Sequence, residues 1–334
     1  MSDFNEWTDP PGGRPWGLLG LCAGSLVLNL VLGVAWVTRG GSDAPATTAA
    51  ADVVVEAPLA APGAAAPTAA PAPVAAVATD TTQLTFPVEG PLSVSFAKAA
   101  PVRGDQVALV YARLFAFDLD LRKLGKGDEV KVSYGRDERD IPLIDYASYH
   151  GAKGTLTAYR YQAAGDAYAS WWDETGNERQ PRLVDSPIAE YEQITSLLRD
   201  GRGHHGMDFK VREGVAVTSP RSGTVVRTDW NWGANGNCVE VKYDDGTVAR
   251  FLHLSRTDAA AGKRIAKGDA IGLTGNTGHS TAPHLHYELE KAGKIVDPID
   301  YHGTTVRQLP AGDVVAFEGH KKALEARFTA PAGA

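Results

Sequence analysis

Val107, Val110, Leu114, Phe117, Leu121 and Leu124 recur at spacings of 3, 4, 3, 4 and 3. They predict one apolar helical stripe that starts after Gly104 and stops at Gly125. The stretch EVKVSY that follows alternates Val130, Val132 and Tyr134, as a half-buried strand does. Further strands are predicted at TLTAYRYQ and AYASWW, the second closed by the turn DETGN. From Ser186 to Tyr301 the pattern changes to short apolar runs punctuated by glycine. GVAVTS, GTVVRTDW, CVEVKY, TVARFLHL, AIGLTG and HLHYELE read as strands, with DDG at 244–246 as a hairpin turn. The expected fold is mostly β: an antiparallel sheet, sandwich or barrel-like, preceded by a small α+β segment. The last run, VVAFEGHKKALEARF, predicts a terminal helix with a frayed end.

Trp16 to Val37 runs 22 residues without a charge, roughly 33 Å as a helix and enough to span a bilayer. A cleaved signal peptide is the rival reading. It fits less well, because the apolar run is long and Arg14 is the only cation beside Asp3, Glu6 and Asp9. A lipoprotein reading through Cys22 meets Leu21 where a small residue is wanted. Arg14 and Arg39 flank the run one against one, so charge does not orient it. Residues 40–82 are dominated by Ala, Pro and Thr, and read as a semi-extended tether able to reach on the order of 100 Å.

The 334 residues carry a formal charge of −7, which leaves no electrostatic footprint for nucleic acid. Two cysteines, Cys22 and Cys238, exclude a disulfide framework or an all-cysteine metal site. The expected organisation is a short tail at 1–15, a transmembrane helix at 16–38, a linker at 39–82, an accessory domain at 83–185, a glycine-punctuated β domain at 186–303 and a C-terminal tail with a helix at 304–334.

Six of the nine histidines (His204, His205, His253, His279, His284 and His286) fall within 83 residues. In GRGHHGMDF, His204 and Asp208 are four apart with Gly206 between them, so on an extended segment both converge on one face. In PHLHYELE, His284 and His286 share a strand face, with Leu285 and Tyr287 on the other. An H-x-H triplet arises by chance roughly a quarter of a time in a chain of this composition, so alone it is weak. A His and an Asp from one segment with a His from another make a three-ligand set that leaves a fourth position for water. That is the catalytic zinc pattern. GLTGNTG lacks the Lys-Ser/Thr of a phosphate loop and reads as a loop wall. His150, His302 and His320 read as solvated or structural residues, His279 as a loop residue, and Glu288 and Glu290 as the rim of a strand.

HHGMD fits an H-x-G-x-D motif, FLHL an aromatic-x-His-Leu motif, and GLTGNTGHSTAPHLHYEL a Gly-rich loop leading into H-L-H. In order and spacing these resemble the lysostaphin/LytM-type zinc endopeptidases of bacterial cell walls, over roughly residues 187–301. The preceding segment resembles, more loosely, the accessory domain of membrane-tethered murein endopeptidases. The resemblance implies one Zn²⁺ on His204, Asp208 and His286, with His253 and His284 as the catalytic histidines. His205 is then a neighbour, since it would break the H-x-G-x-D register. Two positions depart from the pattern: Ala282 stands for the usual Gly, and Phe251 for a Tyr whose hydroxyl would line the groove.

The implied activity is hydrolysis of peptidoglycan peptide cross-links, D-Ala to meso-diaminopimelate in a Gram-negative wall, by an enzyme of the inner membrane with its catalytic domain in the periplasm. The implied partners are the peptidoglycan peptide and the inner membrane, with a protein regulator as a further possible one. Two other readings stand beside this: a non-catalytic LytM-type activator of cell-wall amidases, and a zinc carboxypeptidase or amidase built on the same kind of site.

Overall fold

The computed structural model describes residues 81–198 and 203–329. The span expected at 16–38 and the tether up to residue 80 lie outside them. Among the described residues no helix is long and apolar enough to cross a membrane. All of the described residues fall in one compact unit.

The first segment runs β1 (Thr82–Pro87), α1 (Leu92–Ala99), α2 (Gly104–Phe115), β2 (Glu129–Arg136), β3 (Pro142–Gly151), β4 (Gly154–Tyr161) and β5 (Ser170–Trp172). Its five strands form one antiparallel sheet in sequence order. Both helices lie on one face, where Phe96, Tyr111 and Phe115 pack with Val130, Val132 and Tyr149. The predicted helical stripe is shorter than expected: α2 ends at Phe115, and the amides of Asp118 and Leu119 both bond to the Phe115 carbonyl. Asp118 pairs with Arg179 at 2.6 Å. Leu121 and Leu124 still reach the core from the loop beyond.

Two elements carried no usable pattern. The eight residues of α1 are too few to show a helical period. In β3, the first eight residues are all buried, because the sheet is covered on both sides and alternation disappears. The second cover is α5 (Val314–Ala326), the expected terminal helix. Its Phe317 and Leu324, seven apart on one helical face, pack on Tyr146, Tyr159 and Trp172. His320 lies on the same side. Rather than being a solvated residue, it donates from Nε2 to the Arg160 carbonyl at 2.8 Å.

The second segment contains β6 (Arg182–Leu183), β7 (Gln193–Ser196), β8 (Met207–Lys210), β9 (Ala216–Thr218), β10 (Gly223–Thr228), α3 (Trp232–Asn235), β11 (Asn237–Tyr243), β12 (Val248–Leu254), β13 (Arg256–Thr257), β14 (Arg264–Ile265), β15 (Ala270–Leu273), β16 (His284–Lys291), β17 (Lys294–Val296), α4 (Pro298–His302) and β18 (Thr304–Thr305). One eight-stranded antiparallel sheet in the order β14-β10-β11-β12-β16-β8-β7, with β17 beside β16, carries the segment. A three-stranded sheet, β13-β15-β9, and the pair β18-β6 complete it. The 244–246 turn joins β11 to β12 as expected, with Asp245 accepting from the Thr247 amide at 2.9 Å.

Strand β16 shows how the pattern sets the layers. Leu285, Tyr287 and Leu289 enter a core with Phe209, Phe251, Val239 and Val241, while His284, His286, Glu288 and Glu290 line the opposite face. Each large apolar side chain withdrawn from water here contributes about 1.5–3 kcal/mol. The Tyr287 hydroxyl is matched inside that core by Tyr243 Oη at 3.2 Å and His302 Nε2 at 3.0 Å.

The two segments are stitched by buried polar groups. Gln180 donates to the carbonyls of Arg113 (3.0 Å) and Ile194 (3.1 Å) and accepts from the Ile194 amide (3.0 Å). Glu178, 3% exposed, binds Ser170, Arg182 and Arg307. Burial alone would raise the pKa of Glu178, but the two arginines hold it down to about 2.

Candidate metal centre

Asp208 and His286 face each other across the β8–β16 ladder, and Leu252 of β12 is the partner of His286 on its other side. Ser196 of β7 completes this rung beyond Asp208. His204 enters from the turn before β8. Its Nε2 lies 3.1 Å from Asp208 Oδ1 and 3.1 Å from His286 Nδ1, and the last two atoms are 2.8 Å apart. Two imidazole nitrogens and one carboxylate oxygen thus converge in a compact triangle, a group able to hold a metal ion. Tetrahedral zinc with bonds of about 2.0–2.1 Å needs ligand atoms roughly 3.3 Å apart, so this donor set fits with small adjustment. His205 is exposed and outside the triangle.

Gly206 makes the approach of β8 possible. A Cβ there would stand 2.5 Å from the Tyr287 carbonyl oxygen and 3.0 Å from His286 Nε2.

The far nitrogen of each of the four histidines is anchored. His204 donates from Nδ1 to the Leu197 carbonyl (3.1 Å), His253 from Nδ1 to Thr277 (2.9 Å) and His284 from Nδ1 to Ala282 (2.8 Å). His286 uses Nε2 on Glu288 Oε1 at 2.9 Å. Such outer contacts choose the tautomer and leave the opposite nitrogen directed inward.

His253 reaches the site through a break in strand alternation. Three steps of β12, from Phe251 to Leu254, oppose only two of β11, from Val239 to Asn237, and His253 has φ 64°. A left-handed residue at a bulge re-aims its side chain. Phe251 and Leu254 both enter the core, and the His253 ring instead stands 4.8 Å from that of His284 and 5.9 Å from that of His286. The expectation that a residue at 251 lines the groove is therefore corrected: Phe251 is fully buried against Tyr287.

The Gly-rich loop that supplies the Thr277 carbonyl is clamped to the loop before β11. A Cβ on Gly278, at φ 68°, would lie 2.2 Å from the Gly236 amide nitrogen.

The electrostatics follow from this packing. Burial raises the cost of ionising Asp208, yet hydrogen bonds from His204 and His286 hold its carboxyl far below the usual range. Burial also opposes charge on His286, but Asp208 and Glu288 on either side push it up to about 9. His253 goes the other way. Burial, with His284 beside it, pushes it down to about 4, so it is neutral at pH 7.

Glu288 is not a rim residue, as its place beyond the H-x-H had implied. Its two-residue spacing from His286 puts both on one face, and that was the signal for its role as partner of His286. Glu290 pairs with Arg250 at 2.9 Å. A cavity of about 230 Å³ opens beside Asp208 and His284, and its far wall includes Val110, Ile141 and Trp171 of the first segment.

Residues 202–298 match the model of Peptidase family M23. The chain is 27% identical over 259 residues to the peptidoglycan DD-endopeptidase ShyA of Vibrio cholerae, covering 72% of this chain and 58% of that one. It is 28% identical over 192 residues to an uncharacterized metalloprotease of Haemophilus influenzae, covering 55% and 40%. The chain thus spans about half the length of these curated relatives. A crystal structure of a zinc-containing peptidase from Vibrio cholerae aligns at 25% identity and a TM-score of 0.32, over 66% of this chain and 70% of that one. His204, Asp208, His253, His284 and His286 all lie inside the region, residues 202–298, that matches Peptidase family M23.

Proposed function

We propose that this chain is a zinc metalloendopeptidase that hydrolyses peptide cross-links of peptidoglycan, D-Ala to meso-diaminopimelate, from the periplasmic side of the inner membrane, to which residues 16–38 anchor it. The observation that carries the reading is the convergence of His204 Nε2, Asp208 Oδ1 and His286 Nδ1, with two further histidines at hand that the triangle does not use. The relatives named as peptidoglycan endopeptidases support the substrate class.

In this reading His204, Asp208 and His286 hold the ion. Zinc, when bound, supplies Lewis acidity and acidifies water at that point to a pKa of about 7. His253, neutral and pinned at Nδ1 by Thr277, presents the Nε2 lone pair and takes up the proton of the attacking water. His284, pinned at Nδ1 by Ala282, has Nε2 3.9 Å from Asp208 Oδ1. That nitrogen faces the oxygen of the amide under attack and stabilises the charge that develops on it.

The test is mass analysis of muropeptides from purified sacculi incubated with residues 81–334, beside a His204→Ala control and a chelated sample. Conversion of cross-linked dimers to monomers, lost in both controls, is the expected result. Intact dimers with every sample would overturn the reading and favour a binding or amidase-activating module.

A further inference from the structure

Beside the metal rung runs a second rung of alternating charge. Arg227 of β10, Glu240 of β11, Arg250 of β12 and Glu288 of β16 are direct cross-strand partners in succession. The rung stops at Gly206, whose missing side chain leaves the space that Glu288 fills: a Cβ there would sit 3.0 Å from Glu288 Cγ.

Arg250 is the hub. Its Nε donates to Glu240 at 2.7 Å, one terminal nitrogen to Glu290 at 2.9 Å, and the other to Glu288 Oε2 at 3.4 Å. Glu288 Oε1 is thereby left to accept from His286 Nε2. Glu240 is held in turn by Arg227, at 3.1 and 2.9 Å.

We propose that Arg250 is a positioning residue of the metal centre, acting through Glu288 on the orientation of His286. The proposal rests on the metal-binding reading of His204, Asp208 and His286. A glutamate has three rotatable bonds, and on a half-covered sheet face its carboxylate would turn to water unless something fixed it. The forked guanidinium addresses three carboxylates on two strands at once, each through its own N–H edge. A lysine ammonium, a single point on a flexible stem, cannot span them. With no cation at 250, Glu288 and Glu290, two apart on one face of β16, would be left as unbridged like charges with Glu240 across β12, and would turn away from one another toward water. Glu288 would then release His286 Nε2, and the imidazole would lose the contact that turns Nδ1 toward the ion.

The experiment is zinc affinity by chelator competition on the full-length chain in detergent, for Arg250→Lys, Arg250→Gln, Glu288→Gln and the Arg250→Gln/Glu288→Gln double variant. Arg227→Gln, one step further along the rung, is the control, and thermal unfolding checks that each variant is folded. Loss of an outer partner costs metal affinity about 10–100-fold, and that loss is expected for both Arg250 variants and for Glu288→Gln. The double variant should be no weaker than Glu288→Gln alone, and Arg227→Gln should stay near wild type. In the Arg250 variants the ¹⁵N signals of the His286 ring should lose the signature of a fixed Nε2–H tautomer. Wild-type affinity in folded Arg250→Lys, or single losses that multiply in the double variant, would overturn the proposal while leaving the metal site standing. Failure of the wild-type chain itself to bind zinc would remove both.

Discussion

Asp208 and His286 lie directly opposite each other on antiparallel neighbours, with Oδ1 and Nδ1 2.8 Å apart. Two ligand-type atoms at this distance, 78 residues apart in sequence, are held by backbone pairing rather than by flexible loops. The sheet therefore fixes these two positions, and the behaviour of the centre is testable residue by residue.

Replacing any one of His204, Asp208 or His286 by Ala removes a third of the donor set. Each variant should purify without stoichiometric zinc and show no measurable sacculus cleavage. Elemental analysis and muropeptide release read the two effects separately. Retained zinc in the Asp208 variant would count against its place in the triangle.

His253 lies outside the triangle but beside it, so His253→Ala should keep its zinc. A proton-transfer group contributes about 10²–10⁴-fold, and a fall of that size in kcat with little change in KM is expected. Full activity in the zinc-loaded variant would exclude His253 as the proton acceptor.

Gly206→Ala places a methyl group 2.5 Å from the Tyr287 carbonyl oxygen. Overpacking of this kind costs about 1–3 kcal/mol, and here it also pushes β8 away from His286. Lower thermal stability together with weaker zinc binding is expected, measured by calorimetry and chelator competition. A variant that kept both would mean that the strands separate without disturbing the ligands.

His302, away from the metal, gives a pH dependence that does not involve the ion. Burial first, and then the charge of Arg221, pushes it down to about 4, while Nε2 meets the Tyr287 hydroxyl. The unfolded chain takes up this proton below about pH 6.5 and the folded chain only near 4. Stability from this residue is thus present above pH 6.5 and is lost as pH falls toward 4, by up to about 3 kcal/mol. His302→Gln keeps an acceptor for Tyr287 but does not titrate. Its denaturation midpoint should change less between pH 6.5 and 4.5 than that of the wild type. Parallel curves for the two would assign the acid loss elsewhere.

The first segment walls one side of the cavity beside Asp208 and His284. Its removal should open the groove and raise the rate on sacculi several-fold. The structure dictates where to cut. Gln180 serves Ile194 of β7, and Phe317 and Leu324 pack with Tyr146, Tyr159 and Trp172 of the first segment's sheet. A chain of residues 177–308 keeps the former and discards the latter. Unchanged or reduced activity in this folded piece would show that the first segment does not restrain the enzyme.

Much of this was legible in the residues. The spacing of His204 and Asp208, the H-x-H at 284–286 and the antiparallel character of the second segment are local properties, written as periodicity over a few neighbouring positions. α2 and α5 were visible for the same reason, although α2 ends at Phe115, short of Leu121 and Leu124, which reach the core from the loop beyond. What only the tertiary structure decided is everything that depends on a partner distant in sequence. The register of β8 on β16 sets Asp208 against His286. The bulge opposite β11 turns His253 out of the core and seals Phe251 in. Arg250 meets Glu288 only because β12 and β16 pair at that rung. β3 lost its alternation because helices cover both faces of its sheet, and no pattern within one strand reports what lies across it. Side-chain spacing is fixed by the chain, whereas which face meets which partner is fixed by the free energy of the assembled core.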